Sequence, residues 1–351
     1  MASDARGLTA RRVFIPSAER FPTPDILRGI AVTAMLIAHA APLLPDVPPA
    51  VRFVTGNIND LASPLFALVM GMSAQIVWNR TTPRGRGRTL LRQAIRAGIL
   101  IALGLWMTTW GTWVAIVLGY LGVLLLVGAP LLLLSTRWLV ILTIVVALAS
   151  SPLNEWARGN LVWVYTDFSG VSRTIASWLT LGTSYRLTNL LPFFLLGALL
   201  LRRPLRGRAR WVTAGGAAIA YLVKPIAERL LGVESFVSGS YPDTLHDAGL
   251  VMLTVVVVSW LSDSRGRVHA VSQTILAPVK AVGVVALSVY LLHVALLAWV
   301  APGGARTTEN DYLAWLVIVP VVFVVGATWQ RFVGTGPVEW LIRVLTPSAE
   351  R

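Results

Sequence analysis

Residues 27–40 read LRGIAVTAMLIAHA. Twelve of these fourteen positions suit the interior of a lipid bilayer, and the two exceptions are Arg28 and His39. Eleven residues separate the pair. At 100° per residue their side chains lie about 20° apart, on one face of a helix. The rise between them is about 16 Å, half the hydrocarbon core. An ionisable residue inside a span costs roughly 2.5–3.5 kcal/mol on insertion scales, so it faces the bundle interior and marks a working site. The stretch predicts a membrane-spanning helix with a cation near one mouth and an imidazole in the far half. Asp25, one turn before Arg28 on the same face, is placed to orient the guanidinium.

The apolar pattern of this stretch recurs along the chain. Ten spans of about 17–22 residues are expected near 26–44, 58–78, 93–110, 113–134, 138–153, 188–203, 211–229, 247–262, 281–300 and 312–328. The fold class is all-α, a polytopic membrane helix bundle of ten helices, or eleven if 154–187 hides another. That segment is read as a surface loop, with a re-entrant segment as the alternative. The domain plan is a cytosolic tail over 1–25, a transmembrane domain over 26–328 and a cytosolic tail over 329–351. The segments assigned inside hold 22 Lys and Arg and those outside hold 7, with Arg28 itself in the first span. This bias predicts both termini in the cytosol.

Composition agrees with a membrane protein. Of the 351 residues 56% are hydrophobic and only 13% charged, about half the charged fraction of a soluble domain. The formal charge of +14 sits in short clusters between spans rather than on one surface, which argues against a nucleic-acid partner. Only Lys224 and Lys280 are lysines, and the arginine, alanine and glycine richness points to a GC-rich bacterial source. There is no cysteine, so disulfides and a thiolate nucleophile are excluded. The first span has no cleavage site after it and reads as a signal anchor in the plasma (inner) membrane. Trp106, Trp110 and Trp113 read as an interfacial aromatic belt.

The polar residues within the spans are the candidates for chemistry. Asp60 lies near the outer end of the second span, at the depth of His39. A carboxylate beside an imidazole raises its pKa and fixes its tautomer, which makes a general base. Pro64, Ala67 and Gly71 form a small-residue stripe for close helix packing. In the ninth span, Tyr290 and His293 share a face at i, i+3, with His293 again in the outer half. The candidate catalytic set is therefore His39, Asp60 and His293. Arg186, Asn189, His246 and Asp247 sit at the outer mouth and, with Tyr290, make the candidate acceptor side. The cytosolic loop before the third span carries Arg84, Arg86, Arg88, Arg92 and Arg96, suited with Arg28 to phosphate groups. There is no G-x-S-x-G, no H-E-x-x-H, no phosphate-binding glycine loop, and no metal-ligand spacing among the histidines and carboxylates.

The first helix, LRGIAVTAMLIAH, resembles that of the membrane acyltransferases, including acyltransferase family 3. There an R-G-x-A start is followed by His eleven residues after the Arg. NDLASPLFALVMG (59–71) is similar to the heparan-α-glucosaminide N-acetyltransferase-like and YeiB-type branches. ALSVYLLH (286–293) and GPVEWLIR (336–343) resemble YeiB-type signatures near the C-terminus. The resemblance implies an enzyme of ten to eleven helices that takes an acyl group, acetyl above all, from cytosolic acyl-CoA as co-substrate. The acceptor would be a hydroxyl or amine of an extracytoplasmic envelope glycan or glycolipid. By the same resemblance Arg28 matches the CoA side and His39 the catalytic position. The alternative reading of the same residues is a proton-coupled transporter or lipid flippase. A non-catalytic membrane scaffold is the third.

Overall fold

The computed structural model describes residues 22–346 except 162, 168–169 and 305–307. The described residues are helical with no strand. The order is α1 (Pro22–Ala40), α2 (Pro49–Asn79), α3 (Arg86–Thr108), α4 (Leu118–Leu131), α5 (Thr136–Asn160), α6 (Val164–Asp167), α7 (Gly170–Ala176), α8 (Leu187–Arg202), α9 (Gly207–Leu231) and α10 (Tyr241–Asp263). Then come α11 (Gly266–Val284), α12 (Ala286–Val300), α13 (Tyr312–Leu316), a π-helical turn, α14 (Val322–Phe332) and α15 (Pro337–Leu345). Six of these helices are long and apolar enough to cross a membrane, α13 and α14 counting as one. The bent pair α11–α12 makes a seventh, and α4 and α8 are shorter apolar helices.

The perimeter is apolar and the interior carries the polar groups, as a lipid-facing bundle requires. Ile144 on α5 and Ile219 on α9 are 54% and 69% exposed, while Asn154 and His293 are wholly buried. Close packing is set by glycines. A Cβ on Gly71 would sit 1.8 Å from the Phe194 carbonyl oxygen, and one on Gly197 would sit 1.9 Å from that of Leu68. The stripe expected on α2 is therefore the seam with α8. In the same way Gly29 of α1 lies against the Val279 backbone, and Gly283 lies against that of Asp25. The glycine after Arg28 is thus what lets α11 touch α1.

Several sequence expectations change here. Residues 262–280 are not a loop: α11 starts at Gly266, packs on α1 and bends 76° into α12. The basic segment before the third span is mostly helix, because α3 begins at Arg86 and carries Arg86, Arg88, Arg92 and Arg96. Residues 154–187 are not an open loop. α5 continues to Asn160, and the Trp178 ring reaches Gly119 of α4 through the π-helical turn Ser177–Leu181. The tail after 328 includes the end of α14 and all of α15, an amphipathic helix whose Trp340 and Val344 are exposed and whose Glu339 faces α12. At the ends, Arg202 donates to the carbonyls of Leu132 (2.7 Å) and Leu134 (2.8 Å), closing the C-terminus of α4.

Candidate active site

Two cavities enter the bundle from opposite ends of α1. The first, about 280 Å³, lies at the Arg28 end. Arg28, Gln93 and Arg96 give it a polar mouth, and Val69, Leu118, Leu121 and Leu125 give it apolar walls. The second, about 410 Å³, lies at the His39 end and is lined by His39, Asp60, Lys224, Asp243 and Asp247 with Trp113 and Tyr185. Phe66 and Val117 line both. These two side chains stand between the cavities, one on the Arg28 side and one on the His39 side.

At the basic end Arg28 is held from three sides. It donates from Nη1 to Asp25 Oδ1 at 3.0 Å and to the Gly283 carbonyl at 3.4 Å, and from Nη2 to Ser73 Oγ at 2.7 Å. The expected orientation by Asp25 is present. Arg88, Arg92 and Arg96 repeat at i, i+4, i+8 on α3, so they form a ladder toward the cavity, whose wall Arg96 joins. Arg84 and Arg88 are exposed, and Arg86 lies over the Trp78 ring at 5.9 Å.

At the other end of α1, His39 Nδ1 lies 2.9 Å from His293 Nε2, with the rings stacked at 5.2 Å. One proton sits between the two nitrogens, so each ring fixes the tautomer of the other. His39 also lines the second cavity, which leaves its Nε2 as the nitrogen open to a reactant. Trp113 Nε1 donates to the His39 carbonyl at 3.1 Å. Trp113 is therefore a wall of the site. Tyr290 packs edge-on against His293 at 5.3 Å. Its Oη accepts the Val117 backbone N–H at 3.2 Å, and it lines the first cavity. Its assignment to the acceptor side is corrected: α12 turns that side chain toward the basic end.

Asp60 is also corrected. Its carboxylate faces Lys224 Nζ at 3.5 Å and His246 Nε2 at 3.9 Å, so it does not pair with His39, though it shares the same cavity. The physical reason is competition: an ammonium within reach attracts a carboxylate more strongly than a neutral imidazole does. Lys224 is bound further by Asp243 at 2.8 Å. Sequence reading passed over it as one outer cation, although it is one of only two lysines beside 28 arginines. His246 stacks on Tyr221 at 4.6 Å, and its Nδ1 donates to the Tyr221 carbonyl at 2.9 Å. Asn189 accepts from Asn154 at 2.8 Å and reaches Thr244 at 3.5 Å, tying α5, α8 and α10 together. Arg186, 3% exposed, donates to Ser238 Oγ at 2.9 Å. Arg186 and Asn189 thus brace the second cavity from behind, while Asp247 lines it.

Glu339 was missed altogether. Its Oε1 accepts from the backbone N–H of Leu287 (2.7 Å) and Ser288 (3.2 Å), and its Oε2 accepts from the Ser288 hydroxyl. A carboxylate there satisfies orphan donors at the start of α12, the helix that carries Tyr290 and His293. The ALSVYLLH and GPVEWLIR segments are therefore one structural unit.

Residues 21–329 match a family model described as an acyltransferase domain. No curated protein matches the chain.

Proposed function

The chain belongs to acyltransferase family 3, and from that membership we propose a specific reaction for it. It moves an acyl group, acetyl first, from cytosolic acyl-CoA to a hydroxyl or amine of an envelope glycan or glycolipid across the plasma membrane. The observation that carries this reading is the approach of two cavities from opposite ends of α1, with Phe66 and Val117 lining both and His39, paired with His293, lining the polar one. The basic, apolar-walled cavity suits a CoA phosphate at the mouth and a thioester arm within. The polar cavity, with its carboxylates, lysine and serines, suits a polyhydroxylated acceptor.

In this arrangement the basic end faces the cytosol, with ten traverses and both termini inside, as the charge bias favours. Arg28 and Arg96 bind donor phosphate or amide oxygens, and Arg84, Arg86, Arg88 and Arg92 collect the anion at the surface. His39 is the general base. With Nδ1 donating to His293, its Nε2 lone pair takes the proton of the acceptor hydroxyl. The acceptor oxygen attacks the thioester carbonyl carbon, and collapse expels the CoA thiolate. That thiolate recovers the proton from His39 and leaves as CoA–SH. His293 keeps the tautomer and shares the transient charge. Lys224 holds Asp60 and Asp243 in place, so that the acceptor's remaining hydroxyls meet fixed partners.

The test uses inverted membrane vesicles of the source organism and acetyl-CoA labelled in the acetyl group. Wild-type protein transfers label to a membrane glycan or lipid fraction. His39→Ala loses about 10²–10⁴-fold in rate, the share a positioned base supplies. An absence of transfer, or a His39→Ala variant as fast as wild type, would refute the reading.

A further inference from the structure

Tyr290 has a hydroxyl that the packing leaves half used. Its oxygen accepts the Val117 N–H at 3.2 Å. No acceptor for its own proton is present among the described residues, although the side chain is 3% exposed. A buried phenol ordinarily finds an acceptor, because an unmade hydrogen bond in a low-dielectric site is costly. The hydroxyl is also bonded to a residue that both cavities share. Val117 lines both, Tyr290 lines the donor cavity, and its ring touches His293, which in turn touches His39.

We propose that the Tyr290 hydroxyl is the oxyanion donor of the acyl transfer, reserved for the thioester carbonyl oxygen. The inference rests on the acyltransferase reading above and adds the electrophilic half to it. As the acceptor oxygen bonds to the carbonyl carbon, the carbonyl π pair moves onto oxygen. The Tyr290 O–H donates to that oxygen without giving up its proton. On collapse the pair returns to re-form C=O, and the carbon–sulfur bond breaks with its electrons on sulfur. The Val117 N–H, by donating to Tyr290 Oη, polarises the phenol and holds its proton forward. The donor side is favoured over the acceptor side because Tyr290 lines the apolar cavity and not the polar one. The backbone fixes this geometry before substrate arrives, as oxyanion stabilisation requires.

The experiment compares wild type, Tyr290→Phe and a protein carrying 3,5-difluorotyrosine at position 290. The vesicle assay with labelled acetyl-CoA gives rate, and titration with S-ethyl-CoA, which has no carbonyl, gives donor binding. Tyr290→Phe is expected to lose about 10²–10³-fold in kcat, the cost of one oxyanion donor, with S-ethyl-CoA affinity and KM unchanged. The difluorotyrosine protein, which keeps an O–H, is expected to retain turnover. Active wild type beside an equally active Tyr290→Phe overturns the role of Tyr290 alone. Loss of S-ethyl-CoA binding in Tyr290→Phe, or equal loss of rate in both variants, marks the side chain as a structural strut and also overturns it. Inactive wild type would instead strike the acyltransferase reading itself.

Discussion

At the scale of single residues the site turns on two imidazoles 254 positions apart and 2.9 Å in contact. A histidine partner differs from the carboxylate more often found behind a catalytic imidazole. It fixes the tautomer by one shared proton but brings no negative charge to stabilise the imidazolium. His293 is therefore a positioning residue. His293→Leu, which removes the acceptor, is expected to lower kcat by about 10²-fold, the lower end of a general base's contribution, with KM for acetyl-CoA unchanged. His293→Gln, which keeps an acceptor oxygen, is expected to recover much of that rate. A parallel rise in KM would show instead that the bundle had repacked. Asp60 shows the complementary lesson. Its depth was readable from spacing, but its partner was not, because Lys224 arrives on a helix distant in sequence.

At the scale of elements the decisive joint is the start of α12. The chain bends 76° between α11 and α12, and the freed N–H groups of Leu287 and Ser288 are met by Glu339 from α15. Val338 N–H donates to Ser288 Oγ at 3.1 Å, so the contact is reciprocal. This joint sets the height of Tyr290 and His293, one and two turns above it. Glu339→Ala removes a cap of the kind worth about 0.5–2 kcal/mol. The expected result is a lower melting temperature in detergent and faster hydrogen exchange at Leu287 and Ser288, with Glu339→Gln intermediate. Unchanged exchange at those two amides would show that α12 holds its place unaided. The glycine contacts work at the same scale. Gly29 and Gly283 allow α1 and α11 to touch backbone to backbone, which brings the Gly283 carbonyl within reach of Arg28.

At the scale of the whole molecule the charge pattern and the two cavities agree in direction. Arg28 of α1 and Arg96 of the arginine-rich start of α3 line the cavity at one end, while Asp60, Asp243 and Asp247 line the cavity at the other. If the basic end is cytosolic, single cysteines report it directly, since the chain has none of its own. Arg84→Cys, exposed beside α3, is expected to react with an impermeant maleimide only from the cytosolic side. Ser235→Cys, exposed beside the polar cavity, is expected to react only from the outside. Labelling of both from one side would reverse or break the proposed topology.

The sequence by itself determined the membrane-helix class and the placement of Arg28 and His39 on one interior face. It also marked Pro64–Gly71 as a packing stripe. All of these follow from short-range repeats, the 1.5 Å rise and 100° turn of a helix and the apolar length a bilayer demands. Only the tertiary structure decided that His39 meets His293, that Asp60 meets Lys224, and that Trp113 lines the site. It likewise turned Tyr290 to the basic side and brought Glu339 onto α12. Such pairings depend on which distant segments pack side by side, and no local period encodes that. A polar side chain in an apolar interior takes whichever partner the packing delivers, because leaving it without one costs more than any preference among partners.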